Sequence, residues 1–197
     1  MFNFVFMHIG LFFGSFNPIH IGHLALANYF TEYSDLNQVW FVVTPHNPLK
    51  PKNSLLNDNI RIQLVRDAIE GYTKFKASNI EFDLPQPNYT IHTLVHLKEK
   101  HPEHQFVLIL GEDNLESFDK WKNYEVILDQ YELYIYPRQG SQSGKFKDHP
   151  HIHKVNAPLM EISSTFIRDS IKNKKDVRFF LHAKTWKYID DYNLYKK

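Results

Sequence analysis

Continuous apolar runs alternate with segments of helical periodicity along this chain, and this alternation limits its fold more than any other feature. Met7–Phe13, Gln38–Thr44 and Gln105–Leu110 are mostly apolar over the length of a strand. Strands of this kind are buried on both faces, whereas half-exposed strands alternate apolar and polar residues. The sequence therefore predicts an α/β fold: a doubly wound, mainly parallel sheet with helices on both faces. In such sheets ligands bind beyond the carboxyl ends of the strands.

The predicted elements fit one domain. Strands are predicted over Met7–Phe13, Gln38–Thr44, Phe75–Phe82, Gln105–Leu110, Glu132–Tyr136 and His153–Asn156. Helices are predicted over Leu24–Tyr33, Asn59–Gly71, Thr90–Lys100 and Asn123–Gln130, and from Ser164 and Thr185. No repeat, low-complexity tract or domain linker interrupts the sequence. We therefore expect a single domain over 1–197, with a sheet core to about residue 160 and a small C-terminal helical portion over about 161–197.

Composition and charge exclude several classes of protein. The chain has no cysteine, which excludes disulfides and thiolate metal sites. Its 23 Lys and Arg nearly balance 22 Asp and Glu, so charge gives no argument for a nucleic-acid partner. No apolar run approaches the roughly 20 residues of a membrane span, and the apolar start MFNFVFMHIG lacks the basic region and cleavage site of a signal peptide. We expect a cytoplasmic protein with no nucleic-acid or membrane partner; the oligomeric state stays open, a homo-oligomer included.

The segment FGSFNPIHIGHL stands where the first predicted strand ends and a helix follows. Gly14 permits a backbone turn, and Pro18 stops the strand. His20 and His23 can project together from the mouth of the helix, where backbone N–H groups and the helix dipole favour phosphate. Both imidazoles can donate to phosphate oxygens, more strongly when charged, and Gly22 lets a large ligand approach the backbone. Ordinary surface histidines are the alternative, which the HxGH spacing after a strand and a turn disfavours.

A second segment, MEISSTFIRDSI over Met160–Ile171, also indicates a phosphate site. Ser163 and Ser164 stand where the N-cap of a helix is expected, and they would supply hydroxyls next to free N–H groups. Arg168, about one turn further on, adds a planar guanidinium that suits phosphate oxygens. Taken alone, this segment could equally be a capped helix with a surface arginine. Its occurrence together with the HxGH segment favours the phosphate site.

These two segments resemble the signatures of the nucleotidylyltransferase superfamily, T/S-F-D/N-P-x-H-x-G-H and I-S-S-T-x-I-R. The resemblance implies a Rossmann-like fold in which two histidines bind the ATP phosphates and the serine/arginine segment holds the β- and γ-phosphates. His20, His23 and Arg168 are thus the expected catalytic residues. The expected ATP-binding residues are Gly14, Ser15, Phe16, His20, Gly22, His23, Gly111, Asp113, Arg138, Ile162, Ser163, Ser164 and Arg168.

Three further segments resemble those of bacterial nicotinate-nucleotide adenylyltransferases, and the resemblance extends over nearly the whole chain. They are PNYTIHTL over Pro87–Leu94, GEDNLESFDKWKNYEVIL over Gly111–Leu128, and YPRQG over Tyr136–Gly140. The resemblance implies that nicotinate mononucleotide is a substrate. The expected residues for binding it are Ser15, Lys50, Tyr89, Thr90 and Trp121.

Physical reasoning supports a pyridine-nucleotide site on these segments. The flat face of Trp121 can stack on a pyridine ring. Thr90 and neighbouring N–H groups at the start of a helix can bind a carboxylate, and Asp113 can accept hydrogen bonds from ribose hydroxyls. The alternatives are a tryptophan that covers the core, an ordinary helix cap at Tyr89–Thr90, and an aspartate that forms a turn.

Two places depart from the family pattern. Phe13-Gly14 replaces the frequent Gly-Gly pair, and Asn17 replaces an aspartate, so this side chain can cap a turn but carries no charge. After the second strand the family often has P-P-H-K, whereas this chain reads P-H-N-P-L-K. Lys50 is the best match for the family's cation, and the role of His46 stays open.

The reaction implied by the resemblance is in-line attack by the 5′-phosphate of nicotinate mononucleotide on the α-phosphorus of ATP. It yields nicotinate adenine dinucleotide and pyrophosphate. The attacking phosphate is already anionic, so neither a general base nor a covalent intermediate is required. Mg²⁺ is the expected cofactor, held mainly by the phosphates and not by a protein metal site. The alternatives are a pantetheine-phosphate adenylyltransferase, a cytidylyltransferase, a tRNA synthetase fragment, and a nucleotide sensor without catalytic activity.

Overall fold

Six parallel strands form one sheet in the computed structural model, which describes residues 6–48, 55–141, 144–146 and 148–196. Within those residues the strand order is β3-β2-β1-β4-β5-β6, and every neighbouring pair is parallel. The strands are β1 His8–Gly14, β2 Gln38–Val43, β3 Phe75–Ser78, β4 Gln105–Gly111, β5 Glu132–Tyr136 and β6 Ile152–Lys154. The predicted doubly wound sheet is confirmed.

Helices cover both faces of the sheet, as predicted. They are α1 Ile21–Tyr33, α2 Asp58–Ile69, α3 Thr90–Lys100, α4 Glu112–Leu115, α5 Tyr124–Gln130, α6 Ser164–Lys172 and α7 Ala183–Asp191. Short 3₁₀ turns lie at Phe118–Lys120, Gly144–Phe146 and Arg178–Phe180. No helix among the described residues is long and apolar enough to cross a membrane.

The apolar side chains divide into two cores, one on each face of the sheet. On one face Phe30 of α1, Val65 of α2 and Ile167 of α6 are buried in the same cluster. On the other face Leu94 of α3 and Ile127 of α5 belong to the second cluster. The strands β1, β2, β4 and β5 contribute to both clusters through alternate residues, so their sequences are largely apolar, whereas β3 contributes only to the first cluster and β6 only to the second.

The strand order reverses at β1, which lies between β2 and β4. Connections from β1 and β4 leave on opposite faces, so a crevice opens beyond their carboxyl ends at Gly14 and Gly111. The HxGH segment and the GEDN segment both begin there. The topology thus brings segments about a hundred residues apart to one edge of the sheet.

Several boundaries differ from the sequence-based expectation; β6 ends at Lys154 instead of Asn156, and the last helix begins at Ala183 instead of Thr185. The third strand ends at Ser78 instead of Phe82, since the Phe82 N–H bonds to the Asn79 carbonyl at 2.9 Å and closes a turn. The first helix begins three residues before the predicted Leu24. The short helix α4 was not predicted, because four residues are too few to show a helical period.

Candidate active site

An open cavity of about 910 Å³ lies beyond the carboxyl ends of β1 and β4. It is lined by residues from the ends of β1, β2, β4 and β5, from the start of α3, and from the start of α6. Most of the residues expected at the site line it: Gly14, Ser15, Phe16, His20, His23, Tyr89, Thr90, Gly111, Asp113, Trp121, Arg138, Ile162, Ser163, Ser164 and Arg168. Gly22 is not in this lining, and Lys50 falls outside the described residues.

The two HxGH histidines lie against each other at the N-terminus of α1. Their ring centroids are 3.7 Å apart with the planes inclined by 26°. His20 is the N-cap residue, and its backbone N–H donates to His23 Nδ1 at 3.3 Å. A ring nitrogen that accepts carries no proton, so the hydrogen of neutral His23 is on Nε2. This backbone bond therefore leaves His23 Nε2–H as a donor for a ligand.

Both histidines are neutral in the ligand-free protein. Burial, and secondly the positive charge of Arg138, lower the pKa of His20 from 6.5 to about 3. Burial also lowers the pKa of His23, with further contributions from His20 and Arg138. Charged imidazoles, which we considered from the sequence as stronger donors, are thus disfavoured before a phosphate enters. His20 Nδ1 is buried and has no hydrogen-bond partner among the described residues.

The glycines at the end of β1, in the first turn of α1 and at the end of β4 leave space for neighbouring side chains. The sequence suggested other reasons for two of them: a backbone turn at Gly14 and the approach of a ligand at Gly22. The left-handed backbone conformation belongs to Phe16, with φ 43°, and not to Gly14. A Cβ on Gly14 would lie 2.9 Å from the Phe16 ring. A Cβ on Gly22 would lie 3.1 Å from His20 Nδ1, so the space beside Gly22 holds an imidazole and not a ligand. At Gly111 a Cβ would come within 2.3 Å of Asp113 Oδ1.

Helix α6 is attached directly to the HxGH loop. Ser163 is its N-cap and accepts from the Phe166 N–H at 3.1 Å. Ser164 Oγ donates to the Pro18 carbonyl at 2.8 Å, and Arg168 Nη1 donates to the Asn17 carbonyl at 2.9 Å. The arginine is half-buried and lines the cavity. The two segments that resemble phosphate-binding signatures thus share one wall of the cavity.

Asn17 joins the HxGH loop to the C-terminal segment. It is 1% exposed, and its Oδ1 accepts from the Leu56 N–H at 3.2 Å and from the Tyr195 hydroxyl at 2.9 Å. The sequence suggested only that this side chain caps a turn. A neutral amide suits this buried position, since a carboxylate there would have to be desolvated.

Asp113 and Arg138 form an ion pair at the mouth of the cavity. Arg138 Nε lies 3.7 Å from Asp113 Oδ1, and Arg138 Nη1 donates to the Met160 carbonyl at 3.4 Å. The guanidinium lies 5.5 Å from the centre of the Tyr136 ring. This pair connects the end of β4 to the segment before α6, and the positive charge of Arg138 adds to burial in lowering the pKa values of the two histidines.

A third part of the cavity wall consists of the start of α3 and the segment before α5. Tyr89 is the N-cap of α3 and makes no side-chain capping bond, so the helix mouth at Thr90 has no side-chain cap. Lys122 Nζ lies 4.7 Å from the centre of the Tyr89 ring. Trp121 is half-buried, and its indole nitrogen is buried without a hydrogen-bond partner among the described residues.

Sequence reasoning left the role of His46 open and missed Arg61 altogether. His46 lines the cavity, and its backbone is fixed by bonds in both directions with Asn88 at 3.1 and 3.0 Å. Arg61 of α2 is fully buried and donates from Nη1 to the carbonyls of Ser15 at 2.6 Å and Thr44 at 3.0 Å. An arginine on an amphipathic helix gives no signal of this role, because its acceptors are distant in the sequence.

Comparison with known proteins gives the family. A profile of the cytidylyltransferase-like family matches residues 11–170. A protein of Flavobacterium johnsoniae, named probable nicotinate-nucleotide adenylyltransferase, is 57% identical over 193 residues, which cover 97% of this chain and 100% of that protein. A protein of the same name from Christiangramia forsetii is 59% identical over 190 residues, 95% of this chain and 98% of that protein.

A solved structure shows the same fold. Nicotinic acid mononucleotide adenylyltransferase of Plasmodium falciparum, complexed with NaAD, has a TM-score of 0.80 at 22% identity, over 96% of this chain and 98% of that chain. The family profile spans most of the chain, and both bacterial relatives share more than half of its residues along almost their full length. The chain therefore belongs to the nicotinate-nucleotide adenylyltransferases, within the cytidylyltransferase-like family of nucleotidyltransferases.

Proposed function

We propose that this chain transfers the adenylyl group of ATP to nicotinate mononucleotide, forming nicotinate adenine dinucleotide and pyrophosphate. The observation that carries the proposal is the convergence of the HxGH pair and the start of α6 on one cavity whose other wall carries Trp121 and Thr90. The names of the bacterial relatives and the NaAD bound by the Plasmodium protein support it.

In this proposal the side chains of the cavity position the two substrates and stabilise negative charge on the phosphates. The 5′-phosphate of the mononucleotide attacks the α-phosphorus of ATP, and the bond to pyrophosphate breaks on the opposite side. His23 Nε2–H, the His20 ring, and Arg168 donate to the triphosphate and stabilise the charge that develops on pyrophosphate. Phosphate binding would raise the pKa of both imidazoles, since a nearby anion favours the charged form.

Mg²⁺ would bind together with ATP. The described residues of the cavity wall offer few carboxylate ligands for it. The described carboxylates of the cavity wall are Asp113, which is paired with Arg138, and the buried Glu81. The group of three described ligand-type side chains that could hold a metal, His101, Glu103 and His104, is not in the cavity lining. Bound Mg²⁺ would supply charge neutralisation at phosphate oxygens, with phosphates as its main ligands and Asp113 alone within the mouth.

The mononucleotide would lie against α3 and the Trp121 segment. Its pyridine ring would stack on Trp121, and its carboxylate would bind at the mouth of α3 near Tyr89 and Thr90. An amide in place of the carboxylate would set an NH₂ group against a donor and leave it unpaired. We therefore expect at least roughly tenfold preference for the acid nucleotide, since about 1.4 kcal/mol corresponds to one decade.

The test is pyrophosphate release from ATP with nicotinate mononucleotide, nicotinamide mononucleotide and phosphopantetheine in parallel. We expect turnover with the acid nucleotide, weak turnover with the amide, and none with phosphopantetheine. His20→Ala and His23→Ala should each lower turnover by roughly 10²–10³-fold, as loss of a preorganised donor does. His96→Ala, at a partly exposed position of α3 outside the cavity lining, is the matched control. Turnover with phosphopantetheine alone would establish the rival adenylyltransferase, and none with any acceptor would indicate a nucleotide sensor.

A further inference from the structure

Three side chains of metal-ligand type lie together near the start of β4, away from the cavity. His101 directly follows α3, and Glu103 and His104 lie in the turn between α3 and β4. Thr90, at the other end of α3, lines the cavity, and the 11 residues of this helix span about 16 Å. None of the three side chains is in the cavity lining. They belong to a part of the surface that the proposed reaction does not use.

The distances between these side chains suit a shared metal ion. Glu103 Oε1 is 3.7 Å from His101 Nδ1 and 3.5 Å from His104 Nε2. Both distances exceed the length of an ordinary N–H···O hydrogen bond, about 2.9 Å. They are close to the ligand–ligand distance around tetrahedral Zn²⁺, about 3.4 Å for metal–ligand bonds of about 2.1 Å. One ligand atom of each residue lies within 4.8 Å of the other two, so a small side-chain rotation brings all three to this spacing.

The backbone and a neighbouring aromatic ring hold the two imidazoles in place. The His101 N–H donates to the Leu97 carbonyl at 2.8 Å, and the His104 N–H donates to the His101 carbonyl at 3.1 Å. The Trp40 ring packs edge-on against both imidazoles, with centroids 5.3 and 6.5 Å away. Side chains that are already ordered lose little conformational entropy when they bind an ion.

The cluster can be reached from solvent. The side chains of His101 and Glu103 are each 25% exposed, and that of His104 is 10% exposed. His104 Nδ1 is buried, so Nε2, which faces Glu103, is the nitrogen of this ring that an ion can reach. Lys76, whose ammonium lies 3.7 Å from the centre of the Trp40 ring, is a positive group that acts on His101 and opposes a cation. The negative charge of Glu103 offsets this effect.

We propose that His101, Glu103 and His104 bind one Zn²⁺ ion, separate from the Mg²⁺ that would bind with ATP. Two imidazoles and one carboxylate are a ligand set of zinc, whereas Mg²⁺ and Ca²⁺ select oxygen ligands. Three protein ligands leave a fourth position for a water molecule. The ion would join the C-terminal end of α3 to the start of β4 and stabilise the fold, because the three ligands come together only in the folded chain.

The experiment is calorimetric titration of Zn²⁺ into the full-length protein, purified without a polyhistidine tag and freed of metal by a chelator that is then removed. Neither nucleotide is present, so the result does not depend on the proposed function. We expect one ion per chain to bind at this site in the parent. Binding should be at least about tenfold weaker in His101→Gln and in His104→Gln, since loss of even an outer partner of a metal site costs about 10–100-fold in affinity.

Two control variants show where the ion binds. His96→Gln, at a partly exposed position of α3, should bind Zn²⁺ like the parent. His153→Gln tests a second group, in which His151 and His153 both face the Glu132 carboxylate; it should also bind like the parent. Equal affinity in the parent, in His101→Gln and in His104→Gln would overturn the proposal, as would loss of binding in His153→Gln alone.

A third ligand variant and two other readouts keep the test decisive if the histidine variants do not fold. Glu103→Gln removes the charged ligand at a partly exposed position. Zn²⁺ should raise the melting temperature of the parent and leave that of Glu103→Gln unchanged, because an ion that binds only the folded state stabilises it. Co²⁺ in place of Zn²⁺ should give the intense visible absorption of a four-coordinate ion in the parent alone. An equal rise in melting temperature, or only the weak absorption of hydrated Co²⁺ in the parent, would refute the site.

Discussion

The buried histidine pair makes the stability of the fold depend on pH in a calculable way. The pKa of His20 is about 3 in the folded protein and 6.5 without the fold, so the unfolded chain binds a proton that the folded protein excludes. Stability from this group is complete above pH 6.5 and is lost as pH falls toward 3. When pH falls from 7 to 5, stability is lost over the roughly 1.5 pH units between the ordinary histidine pKa of 6.5 and pH 5. At roughly 1.4 kcal/mol per unit, this loss amounts to about 2 kcal/mol.

The assay is urea unfolding followed by tryptophan fluorescence at pH 7 and pH 5, on the parent, His20→Gln, and the control His92→Gln at an exposed position of α3. Buffers must lack phosphate and sulfate, because a bound anion would favour the charged ring. The parent and the control should lose about 2 kcal/mol more of the free energy of unfolding than His20→Gln does. Equal losses in His20→Gln and the parent would show that His20 is not held neutral by the fold.

Three other substitutions test the walls of the cavity. Arg168→Lys should raise KM for ATP about tenfold, because an ammonium cannot bond to the Asn17 carbonyl and a phosphate in the same fixed geometry; an unchanged KM would contradict a role in ATP binding. Gly111→Ala sets a methyl group 2.3 Å from Asp113 Oδ1 and should weaken ATP binding in calorimetry, whereas normal affinity would remove Asp113 from the site. Trp121→Ala should lower kcat/KM about tenfold for the acid and amide nucleotides alike, since stacking does not depend on the substituent; a loss confined to one nucleotide would refute stacking.

Much of the fold could be predicted because strands that are buried on both faces have continuously apolar sequences. The apolar run over 105–110 became β4, and the runs over 38–44 and 132–136 became β2 and β5. The third strand was overestimated because Ile80 and Phe82 pack against the cores from a turn, and apolar packing does not require strand geometry. A run of apolar residues indicates that the side chains are buried, and it indicates the backbone conformation only indirectly.

The site was predictable where its residues are adjacent in the sequence and not where it depends on distant partners. The residues of the HxGH segment are close together in the sequence, and so are those of the ISSTxIR segment. The structure places both segments in one wall of the cavity. The buried charges of Arg61 and the carboxyl group of Glu81 gave no such signal, since their burial follows from acceptors and donors on other elements. The loop glycines were recognised, but the side chains that fill the space beside Gly14 and Gly22 became visible only in three dimensions.

The bond between Tyr195 and Asn17 has a consequence for how the protein is made. These residues are 178 positions apart, and the bond closes the HxGH loop with a residue from the far end of the described chain. During synthesis, β1 and α1 leave the ribosome long before Tyr195 does, at about 5–20 residues per second. The loop therefore lacks this contact until residue 195 has emerged. A ribosome stalled before residue 195 would display an HxGH loop in which Asn17 lacks its hydrogen bond from Tyr195.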